Sequence, residues 1–350
     1  MKHPILLLFW ALIISPAVLS QNTARINEYA YIVDINNIKV SLDPTGSIGY
    51  STTQPYYFNA PADSSTTAMY GSFFWLAGKN QYGETKAFTP DWYLNESEVH
   101  FGPYNYNYTN YLAAEYNLLY APYNRVWMVT ASEIQTHQQL FNSENYSIPE
   151  AILNWPGNGD TLSGFNAQLA PFVDRNNNLI YEPLAGDYPL IKGDAAIFAM
   201  YHDNSFYENE IAINGNTNTE IHVLLYAYAG DQSTLIGNTI FVDYTIYNCG
   251  DFIFDSLYAG TFVDFAIGDF QDDYCGSDSA LNLFFGYNGD LSDGPSLNTY
   301  TTLPALGCMP LSHQLNSFMH FNGDNTAAGI LTMRKNLLIH WMGNLAMVCK

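Results

Sequence analysis

The stretch VDRNNNLIYEPLAGDYP, residues 173–189, carries oxygen-bearing side chains at alternating positions. Calcium takes six to eight oxygen ligands, and the loops that bind it supply carboxylates, amides and a backbone carbonyl at this kind of spacing. The spacing predicts a calcium site with these ligands: Asp174, Asn176, Asn178, the carbonyl of Ile180, Glu182 and Asp187. Because few carboxylates are offered, we expect affinities of roughly 0.1–1 mM, as in extracellular modules.

One position weakens this prediction. Leu179 stands at the sixth place of the loop, where a glycine usually eases the sharp turn. The alternative interpretation is a turn rich in Asp and Asn, whose side chains hydrogen-bond to their own backbone.

A second group of carboxylates lies in DFAIGDFQDDYCGSD, residues 264–278. Carboxylates so close together repel one another, and a divalent cation would relieve the repulsion. The candidate ligands are Asp264, Asp269, Asp272, Asp273 and Asp278. The alternative is a solvated acidic connection between two strands.

Tryptophans offer a different chemistry, because a broad apolar ring with a polar edge stacks well on sugar rings. Such a glycan platform would use Trp75, Trp92, Trp127 and Trp155. The alternative is packing in the core or at turns.

Catalytic motifs are weak in this sequence. It contains no G-x-S-x-G, no H-E-x-x-H and no glycine-rich phosphate loop followed by a basic residue. A glycosidase-like carboxylate pair would come from among Glu208, Glu210, Glu220, Asp243 and Asp264. Glu220 and His222 alternate on a predicted strand, so they share a face and are candidates for holding a metal.

Charge excludes one class of partner. The net charge is -22, and the segment from Gly193 to Met333 contains seventeen Asp and Glu but no Lys or Arg. Nucleic-acid binding needs a basic surface, which this chain does not have. The carboxylates of that segment must lie in water, accept hydrogen bonds or share cations, because unpaired buried carboxylates are costly.

The first twenty residues resemble a secretory signal: Lys2 and His3 precede the apolar run Ile5–Ile14, and small residues follow. We expect cleavage before Gln21 and a secreted or cell-surface protein, with the periplasm as an alternative. No later apolar run is long enough to span a membrane.

Four cysteines in an exported chain permit two disulfides. A Cys275–Cys308 bridge is one possibility, and free buried thiols are the other.

The fold class predicted is predominantly all-β: an antiparallel β-sandwich with one or two short helices near 130–155. Period-two apolar patterns over 221–229, 240–246 and 257–265 favour antiparallel strands. TASEIQTHQQLF, from Thr130, predicts a helix, since Glu133 follows Thr130 at capping-box spacing.

Several motifs also carry a family resemblance over roughly residues 70–330. These motifs are AILNWPGNGD, LAPFVDRNNNLIYEPLAGDYPLIKGDAAIFAMYHDN, NTIFVDYTIYN and DDYCGSDSALNLFFGYNGD. Together they resemble the N-terminal region of large Bacteroidetes-type exported proteins that end in a type IX secretion sorting domain. The resemblance implies a mostly β, secreted or cell-surface chain of unassigned function.

The chain departs from that family pattern at four points. Asn178 and Leu179 stand where the family has a second aspartate and a glycine. Asp264-Phe265-Ala266 replaces Asp-x-Asp, and Cys275 precedes Gly276 where Gly-Cys-Asp is usual. No sorting domain follows within these residues, which puts surface anchoring in question.

The expected organisation is a signal peptide over 1–20, a β-rich region over 21–120, a helix with the calcium-like loop over 121–193, and a β-sandwich region over 194–333. The tail 334–350 is basic and atypical, so we expect either a basic-ended helix or a truncated or frame-shifted end. The function predicted is a non-catalytic, calcium-stabilised module for attachment or recognition of glycans or surface proteins. The alternative is a polysaccharide-active enzyme or a sugar-binding accessory module.

Overall fold

The computed structural model describes residues 31–50, 58–90, 99–107, 118–204, 216–293, 300 and 302–320, together with the backbone of 346–349. The first strands are β1 (Tyr31–Asp34), β2 (Lys39–Leu42), β3 (Phe58–Asn59), β4 (Met69–Asn80), β5 (Thr85–Phe88), β6 (His100–Phe101), β7 (Trp127–Thr130), β8 (Phe172–Val173) and β9 (Tyr188–Pro189). They are followed by β10 (Ala195–His202), β11 (Thr219–Ala227), β12 (Phe241–Asn248), β13 (Phe254–Phe265), β14 (Asp273–Asp278), β15 (Leu283–Asn288), β16 (Ala305–Cys308), β17 (Ser317–His320) and β18 (Ala346–Cys349).

Two α-helices lie between β7 and β8, namely α1 (Ala131–Leu140) and α2 (Glu150–Leu153). Helix α1 begins as its sequence predicts. Thr130 Oγ1 accepts a hydrogen bond from Glu133 N, and Thr130 N donates to Glu133 Oε2, so two amides of the first turn are satisfied. Short 3-10 helices occur at Ala121–Tyr123, Thr161–Ser163, Pro183–Ala185 and Ile236–Asn238.

The strands form two five-stranded sheets and three smaller ones. One large sheet has the order β12-β11-β10-β6, with β7 also paired to β10, and the other has the order β17-β18-β13-β4-β5. The smaller sheets are β1-β2-β3, β14-β15-β16 and β8-β9. All described pairings are antiparallel except those of β18, which is parallel to both β13 and β17.

Strand β10 packs against a hydrophobic cluster on each of its two faces. Its sequence AAIFAMYH is a continuous apolar run, which is typical of a strand covered on both faces. Ile197, Ala199 and Tyr201 belong to a hydrophobic cluster that also contains Leu76 of β4. Phe198 and Met200 belong to a second cluster, which includes residues of α1, α2 and the segment before β9.

The first cluster joins the inner faces of the two large sheets. Val223 and Leu225 of β11 and Val263 of β13 lie in it, and the Phe74 ring stacks on Tyr244 of β12 with centroids 4.3 Å apart. Burying one such side chain contributes about 1.5–3 kcal/mol. Residues of both large sheets therefore belong to one hydrophobic core.

The prediction of a β-rich fold in antiparallel sheets with one or two short helices near 130–155 is confirmed, and the structure has two there. Strands from different predicted regions occur in the same sheet. Strand β4, from the 21–120 region, pairs with β13, from the 194–333 region. Residues 1–20 and 334–345 lie outside the described residues. The tail is described only at 346–349, where it forms a strand rather than the end of a helix.

Candidate functional site

The loop of residues 174–187, hereafter the Asp/Asn loop, connects β8 to β9. These two strands pair as a short antiparallel ribbon, with Phe172 opposite Pro189 and Val173 opposite Tyr188, so the two ends of the loop are held side by side. Near the middle of the loop, Tyr181 is buried in the second hydrophobic cluster, and its amide donates to Asn158 Oδ1 at 2.7 Å. Packing therefore anchors the loop at its base and at its centre.

Side-chain oxygens in the first half of the loop accept hydrogen bonds from backbone amides further along it. Asp174 Oδ1 accepts from Asn177 N and Asp174 Oδ2 from Leu179 N, both at 2.7 Å. Asn176 Oδ1 accepts from Asn178 N at 3.1 Å. Asn178 Oδ1 accepts from Ile180 N at 2.8 Å. The alternating side chains therefore all turn toward the inside of the loop.

Two side chains of the first half of the loop contact Glu182. Its Oε2 accepts from the amide nitrogens of both Asn176, at 3.1 Å, and Asn178. The two side-chain amides therefore turn their nitrogens toward the Glu182 carboxylate. Their oxygens accept from backbone amides, as in the alternative of an Asp- and Asn-rich turn.

Asp187 plays a different part in the same loop. Its side chain is fully buried, its Oδ1 accepts from Arg175 N at 2.9 Å, and its Oδ2 accepts from Glu182 N at 2.8 Å. One carboxylate therefore ties the first half of the loop to the second. Asp187 belongs to the predicted calcium ligands, and in the structure it anchors the backbone of the loop.

Leu179 adopts the backbone conformation that its place in the loop predicts for glycine. Its φ is 66°, and that of Asn177 is 58°. Asn tolerates the left-handed region, whereas a bulky side chain there costs about 1–2 kcal/mol. The Leu179 side chain is 69% exposed, so no burial compensates for the strain.

Helix α1 supports the loop from one side. The buried His137 ring lies with Nε2 3.1 Å from the Asp187 carbonyl oxygen. The Arg175 guanidinium lies 4.7 Å from the centroid of the Phe141 ring, which follows α1. Gly186, at φ 99°, allows close contact with Phe141, since a Cβ there would come within 2.9 Å of the ring.

The second predicted cluster is divided by the structure. Asp278 is five residues beyond Asp273 along β14, about 17 Å at the usual rise. It caps a turn by accepting from Ala280 N and Leu281 N. Asp264 is buried in β13 opposite Gly71. The structure therefore places Asp278 apart from Asp273, and it places Asp264 on a different strand.

The remaining aspartates gather around a residue that the sequence analysis missed. Asp293 is buried, its Oδ1 accepts from Asp269 N at 2.8 Å, and its Oδ2 accepts from Tyr300 N. Burial, followed by the charges of Asp272, Asp293 and Asp269, raises the pKa of Asp273 to about 7. Asp293 is far from the acidic segment in sequence, and only an Asp-Gly turn marked it.

In the part of the chain that the structure describes, no three His, Cys, Asp or Glu side chains form a group that could hold a metal. The predicted ligands of the Asp/Asn loop also include side-chain amides and a backbone carbonyl, which a group of His, Cys, Asp and Glu side chains does not cover.

The tryptophan platform is wrong for the tryptophans that the structure describes. Trp75, Trp127 and Trp155 are all buried, with 0%, 3% and 3% of their surface exposed. Trp75 Nε1 donates to Pro90 O at 2.7 Å, and its ring stacks on Phe262 with centroids 5.3 Å apart. These rings are core residues. Trp92 lies outside the described residues.

Of the carboxylates considered for catalysis, Glu220 lies on β11, Asp243 on β12 and Asp264 on β13. Glu208 and Glu210 lie outside the described residues. Asp243 accepts a hydrogen bond of 2.6 Å from Lys192 Nζ. Glu220 and His222 do share a face, as predicted, but they hydrogen-bond to each other.

The predicted Cys275–Cys308 disulfide is not formed, since Cys308 is a free thiol. Strand β15 separates the two residues: Cys275 pairs with Gly286, whereas Cys308 pairs with Phe284. Positions two strands apart are too distant for a disulfide, which needs Cα atoms within about 7 Å. Both side chains instead pack against the first hydrophobic cluster, as small apolar residues do.

No helix among the described residues has the length and apolar character needed to cross a membrane. Comparisons with protein-family models, with curated proteins and with solved structures gave no match for this chain.

Proposed function

We propose that this chain is a non-catalytic, β-rich module that is exported through its N-terminal signal, binds calcium in the Asp/Asn loop, and serves attachment or recognition outside the cytoplasm. The sheets supply a rigid scaffold, and the loop is the place where an ion adds stability to it.

One observation carries the proposal. Residues predicted as ligands from spacing alone, from Asp174 to Asp187, belong to a single hydrogen-bonded loop in which Asn176 and Asn178 meet at Glu182. The left-handed backbone at Leu179 is the strained conformation that such a loop demands. These features support the proposal because they hold the predicted ligands within one short loop, although the same hydrogen bonds also occur in an Asp- and Asn-rich turn.

Electrostatics favour a cation in the same place. The loop's own basic residue, Arg175, lies over the Phe141 ring. A divalent ion would supply positive charge between Asp174 and Glu182, two carboxylates within one short turn.

Calcium that binds only the folded chain stabilises it by mass action. At ten times the dissociation constant the gain is about 1.4 kcal/mol, which corresponds to a rise in Tm of roughly 2–4 °C for a chain of this size. We expect this rise between chelator-treated protein and protein in millimolar calcium. Magnesium at the same concentration should give less, because it demands octahedral geometry.

Two variants make the test specific. In Asp174→Ala, the Tm should be the same with and without calcium. Asp231→Ala is the matched control, because Asp231 also accepts hydrogen bonds from its own turn, at Ser233, but lies outside the Asp/Asn loop. It should keep the full calcium effect. Identical melting curves for the unaltered chain in calcium and in chelator would remove the calcium proposal.

A further inference from the structure

The three-stranded sheet β14-β15-β16 has an unusual outer face. Its inner face is buried: Phe284 and Leu306 belong to the first hydrophobic cluster, and Gly286 is covered by the Phe265 ring. An antiparallel sheet with one buried face normally presents polar side chains on the other. Here the alternation instead places aromatic rings toward solvent.

Strand register identifies the residues of this outer face. Tyr274 pairs with Tyr287 and Gly276 pairs with Phe285, so these positions point to the same side. Leu283 is on that side as well, opposite Asp278. Tyr274 is 60% exposed and Tyr287 is 41% exposed. We call Tyr274, Leu283, Phe285 and Tyr287 the aromatic face.

Glycines allow these rings to lie close to the sheet. The Phe285 ring tip is over Gly276, where a Cβ would lie 3.1 Å from Cζ, and a side chain on Gly289 would collide with the Tyr274 ring. The Tyr274 and Tyr287 rings are 29° from parallel with centroids 6.1 Å apart, and Phe285 is 5.9 Å from Tyr287. Two neighbouring tyrosine rings of similar orientation therefore form a continuous aromatic surface.

Charge restricts what can bind there. Asp278 lies at one end of the aromatic face, Asp272 and Asp290 lie at the other end, and no Lys or Arg occurs anywhere from Gly193 to Met333. Anionic ligands such as uronate or sulfated polymers are therefore disfavoured. Carboxylates at the edge of an aromatic surface are acceptors for ligand hydroxyl groups.

We propose that the aromatic face binds a neutral polysaccharide, with pyranose rings stacked on Tyr274 and Tyr287 and hydroxyl groups donating to the aspartates at its ends. The C–H groups of a sugar ring carry slight positive charge and are attracted to the negative face of an aromatic ring. This inference rests on the proposed role in attachment or recognition, for which it names the partner, but not on calcium binding.

Native gel electrophoresis tests the proposal, using the full chain in gels that contain hydroxyethyl cellulose, glucomannan or galactomannan. We expect at least one of these neutral polymers to retard the chain, whereas alginate, an anionic polymer, does not. The double variant Tyr274→Ala/Tyr287→Ala should lose at least tenfold in affinity for the retarding polymer. Because both side chains are exposed, its melting temperature should remain close to that of the unaltered chain.

Tyr82→Ala is the matched control. Tyr82 is 76% exposed in the turn between β4 and β5, on a different sheet, and its removal should leave retardation unchanged. No retardation by any of the neutral polymers, or equal retardation of the double variant, would overturn the inference. So would a dimer in sedimentation that the double variant abolishes, because the face would then be covered by a second copy.

The gels and the melting curves, both recorded in calcium and in chelator, distinguish the two proposals. Retardation without any calcium effect on Tm would retain the polysaccharide site and remove the calcium site. A calcium-dependent Tm without retardation would retain the stabilised module and remove this inference.

Discussion

His222 Nε2 donates a hydrogen bond of 2.6 Å to Glu220 Oε1, and both side chains are buried on the same face of β11. The second carboxylate oxygen, Glu220 Oε2, accepts from Tyr104 N, also at 2.6 Å. In a segment without Lys or Arg, the imidazole is the basic group that contacts this buried carboxylate. Glu220 therefore hydrogen-bonds to His222 and to the backbone near β6, and we expect the pair to stabilise the fold.

Removing the carboxylate should therefore be costly. Glu220→Ala leaves His222 and the Tyr104 amide without their acceptor, and we expect a loss of about 3–5 kcal/mol in the free energy of unfolding, measured by urea denaturation. Adding His222→Ala should cost less than the sum of the single changes, by at least about 1 kcal/mol. Asp243→Ala breaks an exposed pair with Lys192 and should cost less than about 1 kcal/mol. An equally mild effect of Glu220→Ala would contradict the structural role.

Leu179→Gly should stabilise the chain. Glycine adopts a φ of 66° without the Cβ clash that Leu179 suffers, although it loses more backbone entropy on folding. We expect a net gain of about 0.5–1 kcal/mol in the free energy of unfolding. Leu179→Ala removes the same exposed side chain but keeps a Cβ, so it should give no comparable gain. Equal stability of the two variants would show that the strain at Leu179 is no larger than the entropy that glycine loses on folding.

Asp187 and Asp174 should respond differently to calcium. Asp187→Ala removes a buried acceptor of two backbone amides, so it should lower the free energy of unfolding by about 2–3 kcal/mol both in calcium and in chelator. Asp174→Ala should lower stability chiefly in calcium. Differential scanning calorimetry under both conditions measures the two effects. An Asp187→Ala loss that occurs only in calcium would make Asp187 a ligand rather than an anchor.

A buried carboxyl group should give stability a pH dependence. Burial raises the pKa of Asp203 from 3.8 to about 6, against hydrogen bonds from Thr217 and Thr219 that lower it. Between about pH 4 and 6 the folded chain holds a proton that the unfolded chain has released, so this contribution is complete below about pH 4 and is lost as pH rises through about 6. Its size is on the order of 3 kcal/mol.

Urea unfolding at pH 4.5 and 7 tests this assignment. Asp203→Asn should show a smaller stability difference between the two pH values than the unaltered chain. Asp231→Asn is the control, because hydrogen bonding to Ser233 lowers the pKa of Asp231, and its contribution is lost only as pH falls below this window. If Asp203→Asn keeps the whole pH difference, other groups account for it.

The Asp/Asn loop and the start of helix α1 could be predicted from local sequence patterns. The side-chain oxygens of Asp174, Asn176 and Asn178 contact backbone amides only a few residues away, and Thr130 and Glu133 form a capping box within one turn. Such interactions depend on short sequence separation, so spacing is enough to predict them. The apolar alternation of β11 likewise follows from the two-residue period of a strand.

Long-range contacts had to be seen in the folded chain. The sequence by itself determined the β-rich class, the helix beginning at Thr130 and the loop from Asp174 to Asp187, because these depend on neighbours along the chain. Tertiary structure alone decided that Trp75 and Trp155 are buried, that Asp293 joins the acidic segment, and that Tyr274 and Tyr287 face solvent. The face of a strand that is covered depends on which sheet packs against it, and residues distant in sequence make that contact.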